Sequence, residues 1–198
     1  MKFLTSVFLL LVTSSTIFAQ SVQVGATARQ TAIERFSAVK TIQSNFMQEK
    51  HLSMLTAPVI SKGKFAFTKT PSRLRWENTE PFLNGFLLLE NETFRLEKGI
   101  KKPIKHAMAN QVATHMKMWL TFDLEALSAS HALDFFDGGV RLTPKKTNGI
   151  FSEITVWFSK QNPQALDKIR LDETNGDYTL LTFTDTRINE PVAEGIFQ

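Results

Sequence analysis

From residue 62 to residue 77 the chain reads KGKFAFTKTPSRLRWE, and apolar and polar positions alternate along it. Phe65 and Phe67 fall on one face with Lys64 and Thr68 opposite. Beyond Pro71 and Ser72, Leu74 and Trp76 share a face, with Arg73, Arg75 and Glu77 opposite. A period of two on either side of a proline turn predicts two antiparallel strands, dry on one face and wet on the other. Similar patterns predict strands at 44–52, 85–90 and 93–98, a short continuation at 103–106, and then 132–137, 139–144, 151–160, 165–173 and 178–185. Turns at 137–139, 148–149, 162–163 and 175–176 separate the later ones, giving ten antiparallel strands and the short continuation. Strand parity places Phe65, Phe67, Leu74, Trp76, Phe94, Leu96, Ile154, Val156 and Phe158 inward. Phe86 and Leu88 are placed with them, although residues 86–89 are apolar throughout.

The period changes twice. Ala32, Phe36, Val39 and Ile42 lie at helical spacing and predict an amphipathic helix over 26–42. Met108, Val112, Met116, Trp119 and Leu120 do the same for 107–121. The second helix gathers Met108, Met116 and Met118 beside Trp119. Methionine is flexible and polarizable, so such a stripe suits core packing or a lid over an apolar cavity. A sheet of so many strands tends to curl. It either closes into a barrel or stays half-open with helices plugging the concavity, and both leave room for a ligand.

Composition narrows the function. The first residues, MKFLTSVFLLLVTSSTIFAQ, combine a lysine, an uncharged apolar run and a small residue at Ala19, the pattern of a secretory signal peptide over 1–19. Residues 20–198 are read as one exported domain, with the formal charge of +4 falling by one when Lys2 is removed. No cysteine is present, so an exported chain must be stabilised by its core rather than by disulfides. Phenylalanine, with 17 residues against one tyrosine, favours apolar surfaces that avoid hydroxyls. No nucleophile elbow, zincin motif, phosphate loop or dinucleotide fingerprint occurs. His51, His106, His115 and His131 lack metal-ligand spacing. No enzyme activity, cofactor or metal is therefore expected, and nucleic acid is not an expected partner at so small a net charge. Lys98, Lys101, Lys102 and Lys105 cluster in 98–105, as a solvated strand and loop or as a docking patch for acidic protein or anionic lipid.

The order of the N-terminal helix, SNFMQEK (44–50), GKFAFTKTPSRLRWE (63–77), EPF (80–82), LLLENETFRLE (87–97) and LTPK (142–145) resembles the LolA-type outer-membrane lipoprotein carriers. The G-x-F-x-F…P-x-x-L-R-W-E block is the most specific part. The resemblance implies an α+β fold, a curved, half-open antiparallel β-barrel whose concave apolar face is covered by two or three helices. It implies a monomeric periplasmic carrier that shelters the acyl chains of lipoproteins between an inner-membrane donor transporter and an outer-membrane acceptor. A carrier or sensor of another envelope lipid is the alternative within the same fold, and an exported lipid-acting enzyme is the alternative outside it. The lipid-binding residues would then be the inward set above with Phe36, Val112, Met116 and Trp119. Thr70 occupies the place before the proline where such carriers often have an arginine bonded to the lid, and would be a weaker lid contact.

Overall fold

The computed structural model describes residues 27, 29–34, 36–90, 92–104, 117–118, 120–121, 123–146, 149–162 and 164–198. The predicted signal segment lies outside them, as does most of the predicted helix over 107–121. Eleven strands form one antiparallel sheet: β1 (Thr41–His51), β2 (Val59–Thr68), β3 (Arg73–Glu80), β4 (Asn84–Leu88), β5 (Thr93–Glu97), β6 (Ile100–Pro103), β7 (His131–Phe136), β8 (Gly139–Pro144), β9 (Phe151–Phe158), β10 (Leu166–Glu173) and β11 (Tyr178–Ile188). Their spatial order is β6-β5-β4-β3-β2-β1-β11-β10-β9-β8-β7, so the sheet is open, with β6 and β7 as its edges. Edge β6 is four exposed residues, including Lys101, Lys102 and Pro103.

Residues 29–34 and 36–37 are helical, and the chain leaves the helix well before residue 42. The apolar spacing that predicts a helix to Ile42 carries across the boundary, because Ile42 enters β1 facing the same core as Phe36 and Val39. The helix Leu124–Ser130 is capped by Asp123, whose side chain accepts from Ala126 N, and it buries Leu127 completely.

Helices and strands meet on the inner face of the sheet. Ala32, Phe36, Val39, Leu120 and Leu127 pack there with inward residues of β1–β4 and β8–β11 in one cluster. Within it Phe46 of β1 stacks on Trp76 of β3 at 3.8 Å between centroids, reaching across the intervening strand. Gly63 makes this possible. It pairs with Phe46, and a Cβ there would stand 2.4 Å from the Phe46 ring and 2.2 Å from the Glu77 carbonyl oxygen. Gly63→Ala is accordingly expected to destabilise the domain by roughly 1–3 kcal/mol, read from the denaturant midpoint.

A second cluster lies on the opposite face. Ala66, Leu87 and Leu96 pack under Phe197, with Leu89, Phe94, Val192 and Ile196 around them. The C-terminal segment thus forms a strap over the outer face of β2–β5. Arg73 pairs with Glu194 at 2.9 Å and lies over the Phe197 ring at 4.9 Å. Arg75 Nη1 donates to the carbonyls of Ile196 and Gln198. The hydrogen bond from Arg73, then its charge, holds the Glu194 carboxyl below its ordinary range. A depressed carboxylate stabilises the fold above its unfolded-state pKa and ceases to do so as pH falls through the folded value. The strap should therefore stay docked through the ordinary carboxylate range and fray below it, seen as faster amide exchange at 194–198.

Candidate inner-face binding site

The GKFAFTKTPSRLRWE stretch forms β2, a tight turn and β3, with Phe65 opposite Trp76 and Phe67 opposite Leu74. On β4, Phe86 and Leu88 face Trp76 and Leu74 in turn. The ring of Phe65 stacks on Trp76 at 5.6 Å and meets Phe183 of β11 edge-on at 5.7 Å. Trp76 and Phe86 lie nearly parallel at 6.4 Å. Across the sheet Phe158 of β9 meets the helical Phe36 at 5.4 Å. Aromatic contacts therefore run from the β4 side to the β9 side of the inner face, with Ile154 and Val156 completing the far wall.

Of the residues expected to line a site, Phe36, Phe65, Phe67, Leu74, Trp76, Leu88, Ile154, Val156 and Phe158 lie in the inner cluster, and Phe86 packs against it. Phe94 and Leu96 do not. Phe94 pairs with Leu87 and Leu96 with Gly85, which puts both on the outer face under the strap. Register is the cause: Leu87 on β4 and Leu89 just beyond it face outward, and Phe94 of β5 pairs with Leu87 rather than with Phe86 or Leu88. Val112, Met116 and Trp119 lie outside the described residues. Sequence reasoning did not single out Phe46 or Phe183, although the apolar Phe46 within SNFMQEK signals an inward position on a strand.

The inner face is packed where it is described. A void of about 10 Å³ between Phe65, Phe183, Ile188 and Leu120 would hold about one water. A larger groove of about 800 Å³ lies on the other face, where Gln43, Lys64, Arg75, Glu77 and Arg187 set charged and polar groups beside Ala66 and Ile196. An apolar guest on the inner face would have to displace the helices to enter. Polar bonds help to hold them: Lys69 Nζ donates to Ser37 O at 3.4 Å and Lys145 Nζ to Ser128 O at 2.7 Å. Thr70 is exposed, and two residues on, the Ser72 hydroxyl receives the ammonium group of Lys117. Removing this charge-assisted bond in Lys117→Met should speed loading of an acyl probe roughly tenfold, since such a bond is worth about 1.5–3 kcal/mol. Stopped-flow fluorescence would read the rate.

One open antiparallel sheet with short helices laid on its apolar inner face defines the class of LolA-like half-open sheet proteins. The chain belongs to the LolA family, described as outer membrane lipoprotein carrier protein LolA, whose model matches residues 37–198. Comparison with proteins of curated function returns no significant match. Among solved structures, the chain is similar to MucB at 15% identity, covering 87% of this chain and 62% of that one, with a TM-score of 0.53. A chain of the Pseudomonas aeruginosa MucA/MucB complex gives 14% identity, 88% and 60% coverage, and a TM-score of 0.52. The chain thus spans about 60% of these two. A LolA superfamily protein from Nitrosomonas europaea gives 11% identity, 88% and 97% coverage, and a TM-score of 0.49. At these identities the likeness to MucB concerns the fold alone.

Proposed function

We propose that this chain is a periplasmic carrier, and not an enzyme, that shelters the acyl chains of lipoproteins against its inner face. It would pass them from an inner-membrane donor to an outer-membrane acceptor. The observation that supports this is the continuous apolar inner cluster, covered by helical side chains that a guest can replace with chemistry of the same kind. Each buried methylene gains about 0.8 kcal/mol, so an acyl chain can repay the loss of Phe36, Val39, Leu120 and Leu127 from that face. Membership of the LolA family supports lipoproteins as the cargo. Native mass spectrometry of the protein taken from its own periplasm tests the reading. An acylated polypeptide bound at one copy per chain is the expected result. Protein that is always empty, and that takes up no acyl probe in vitro, would defeat it. A bound non-protein lipid would instead make it a carrier or sensor of that lipid.

A further inference from the structure

The loops at the two rims of the sheet differ in chemistry. At the rim where Lys117 meets Ser72, loop sequences read KTPS (69–72), DG (137–138) and SKQN (159–162). At the opposite rim the hairpins β1–β2, β3–β4 and β5–β6 turn through SMLTAP (53–58), PFL (81–83) and KG (98–99), the last followed by Ile100. Eight of the nine large apolar side chains exposed among the described residues lie at this second rim, Ile33 being the exception. Met54 is 84% exposed, Phe82 73% and Ile100 63%. Solvent-facing hairpin tips ordinarily carry polar residues, so the apolar tips at 53–58 and 81–83, with exposed Ile100 directly after the Lys98-Gly99 tip, need a reason.

Their placement supplies one. The three hairpins are neighbours in the sheet, and adjacent strands lie about 4.8 Å apart, so their tips form a row spaced by about 10 Å. The tips are fixed in place. Ser53 N–H donates to Asp177 Oδ1 at 2.8 Å, Leu55 N–H to Leu52 O at 2.9 Å, and Lys98 N–H to Leu83 O at 3.1 Å. Lys98 and Gly99 both have positive φ, the tight turn that presents Ile100 directly. No acidic residue occurs within 52–58, 81–83 or 98–101. Exposed Lys98 and Lys101 flank Ile100; of the carboxylates near the tips, Glu80 is paired with Lys62 and Glu97 with Lys102, while Asp177, which accepts from Ser53, is buried. Apolar tips edged by cations, with nearby anions neutralised, complement an anionic lipid surface.

From these tips and their charges we infer that this rim docks the protein on anionic lipid headgroups, with Leu55, Phe82 and Ile100 entering the acyl boundary and Lys98 and Lys101 at the phosphates. Only the purpose of docking rests on the carrier reading; the surface itself stands apart from it. The test is co-flotation of the purified, processed chain with phosphatidylethanolamine–phosphatidylglycerol vesicles, against phosphatidylcholine vesicles, at low and high salt. Salt-sensitive flotation with the anionic vesicles is expected. Phe82→Asp and Leu55→Asp should each weaken it about tenfold, and Lys98→Glu or Lys101→Glu about fivefold. Thermal midpoints and acyl-probe affinity should be unchanged, which separates loss of docking from unfolding and from failure of the inner site. Flotation retained in a chain that binds no acyl probe would sustain the docking surface and sink the carrier. Absence of flotation by the wild type, or flotation indifferent to all four substitutions, overturns the inference. So does a self-association, seen by sedimentation, that the same substitutions abolish while vesicles are ignored, since the patch would then be an interface between copies.

Discussion

Replacing Trp76 with alanine is expected to lower the unfolding free energy by about 3–5 kcal/mol, the range for deleting a large buried aromatic. Trp76 is 3% exposed and touches Phe46, Phe65 and Phe86, so its removal leaves a void bordered by three rings from three strands. The loss should be read from denaturant unfolding of the empty protein. A second measurement connects the site to its use. If acyl chains lie on this face, a saturating acyl ligand should recover part of the deficit, because ligand bound only by the native state stabilises it by mass action and its methylenes can occupy the void. A deficit unchanged by ligand would place the acyl chain elsewhere, whatever the stability of the variant.

The other large effect is expected on the far side of the sheet. Arg75→Ala should cost about 2–3 kcal/mol, somewhat below the usual penalty for breaking a fully buried ion pair. The Arg75 and Glu77 side chains retain 18% and 10% of their exposure and pair at 2.9 Å. Truncating the arginine leaves the Glu77 carboxylate without its cation and the carbonyls of Ile196 and Gln198 without their donor. Much of the cost is thus the stranded carboxylate rather than the lost contact. Glu77→Gln introduced into Arg75→Ala should therefore recover at least about 1 kcal/mol. No recovery in the double variant would show that the strap contacts carry the whole effect.

The two clusters differ in how far they could be read in advance. The alternation of Phe65, Phe67, Leu74 and Trp76 survives into the structure because one proline turn joins their strands and fixes the pairing. Ile154, Val156 and Phe158 follow the same logic on β9. On β4 the alternation disappears, since Phe86, Leu87, Leu88 and Leu89 are all apolar and both faces of that strand are covered. Parity could not be carried through it to Phe94 and Leu96. Nor did anything local announce the strap: in EPVAEGIFQ the apolar residues are Val192, Ala193, Ile196 and Phe197, without a strand or helical period. Its docking is decided by tertiary contacts with Arg73 and Arg75. The short edge β6 was similarly faint, because all four of its residues are exposed and leave no buried face to mark it.

That edge has a colloidal consequence. An open sheet ends in a row of unpaired backbone groups, and such a row is a template on which another chain's strand can grow. Here the template is four residues long, carries two lysines, and ends in Pro103, which has no amide hydrogen to offer. A second molecule approaching edge-on meets like charge before it can form more than a bond or two. This edge is therefore a poor template, and Pro103→Val together with Lys101→Val should convert it into a seed for filaments, detectable by thioflavin fluorescence under conditions where the native chain remains clear.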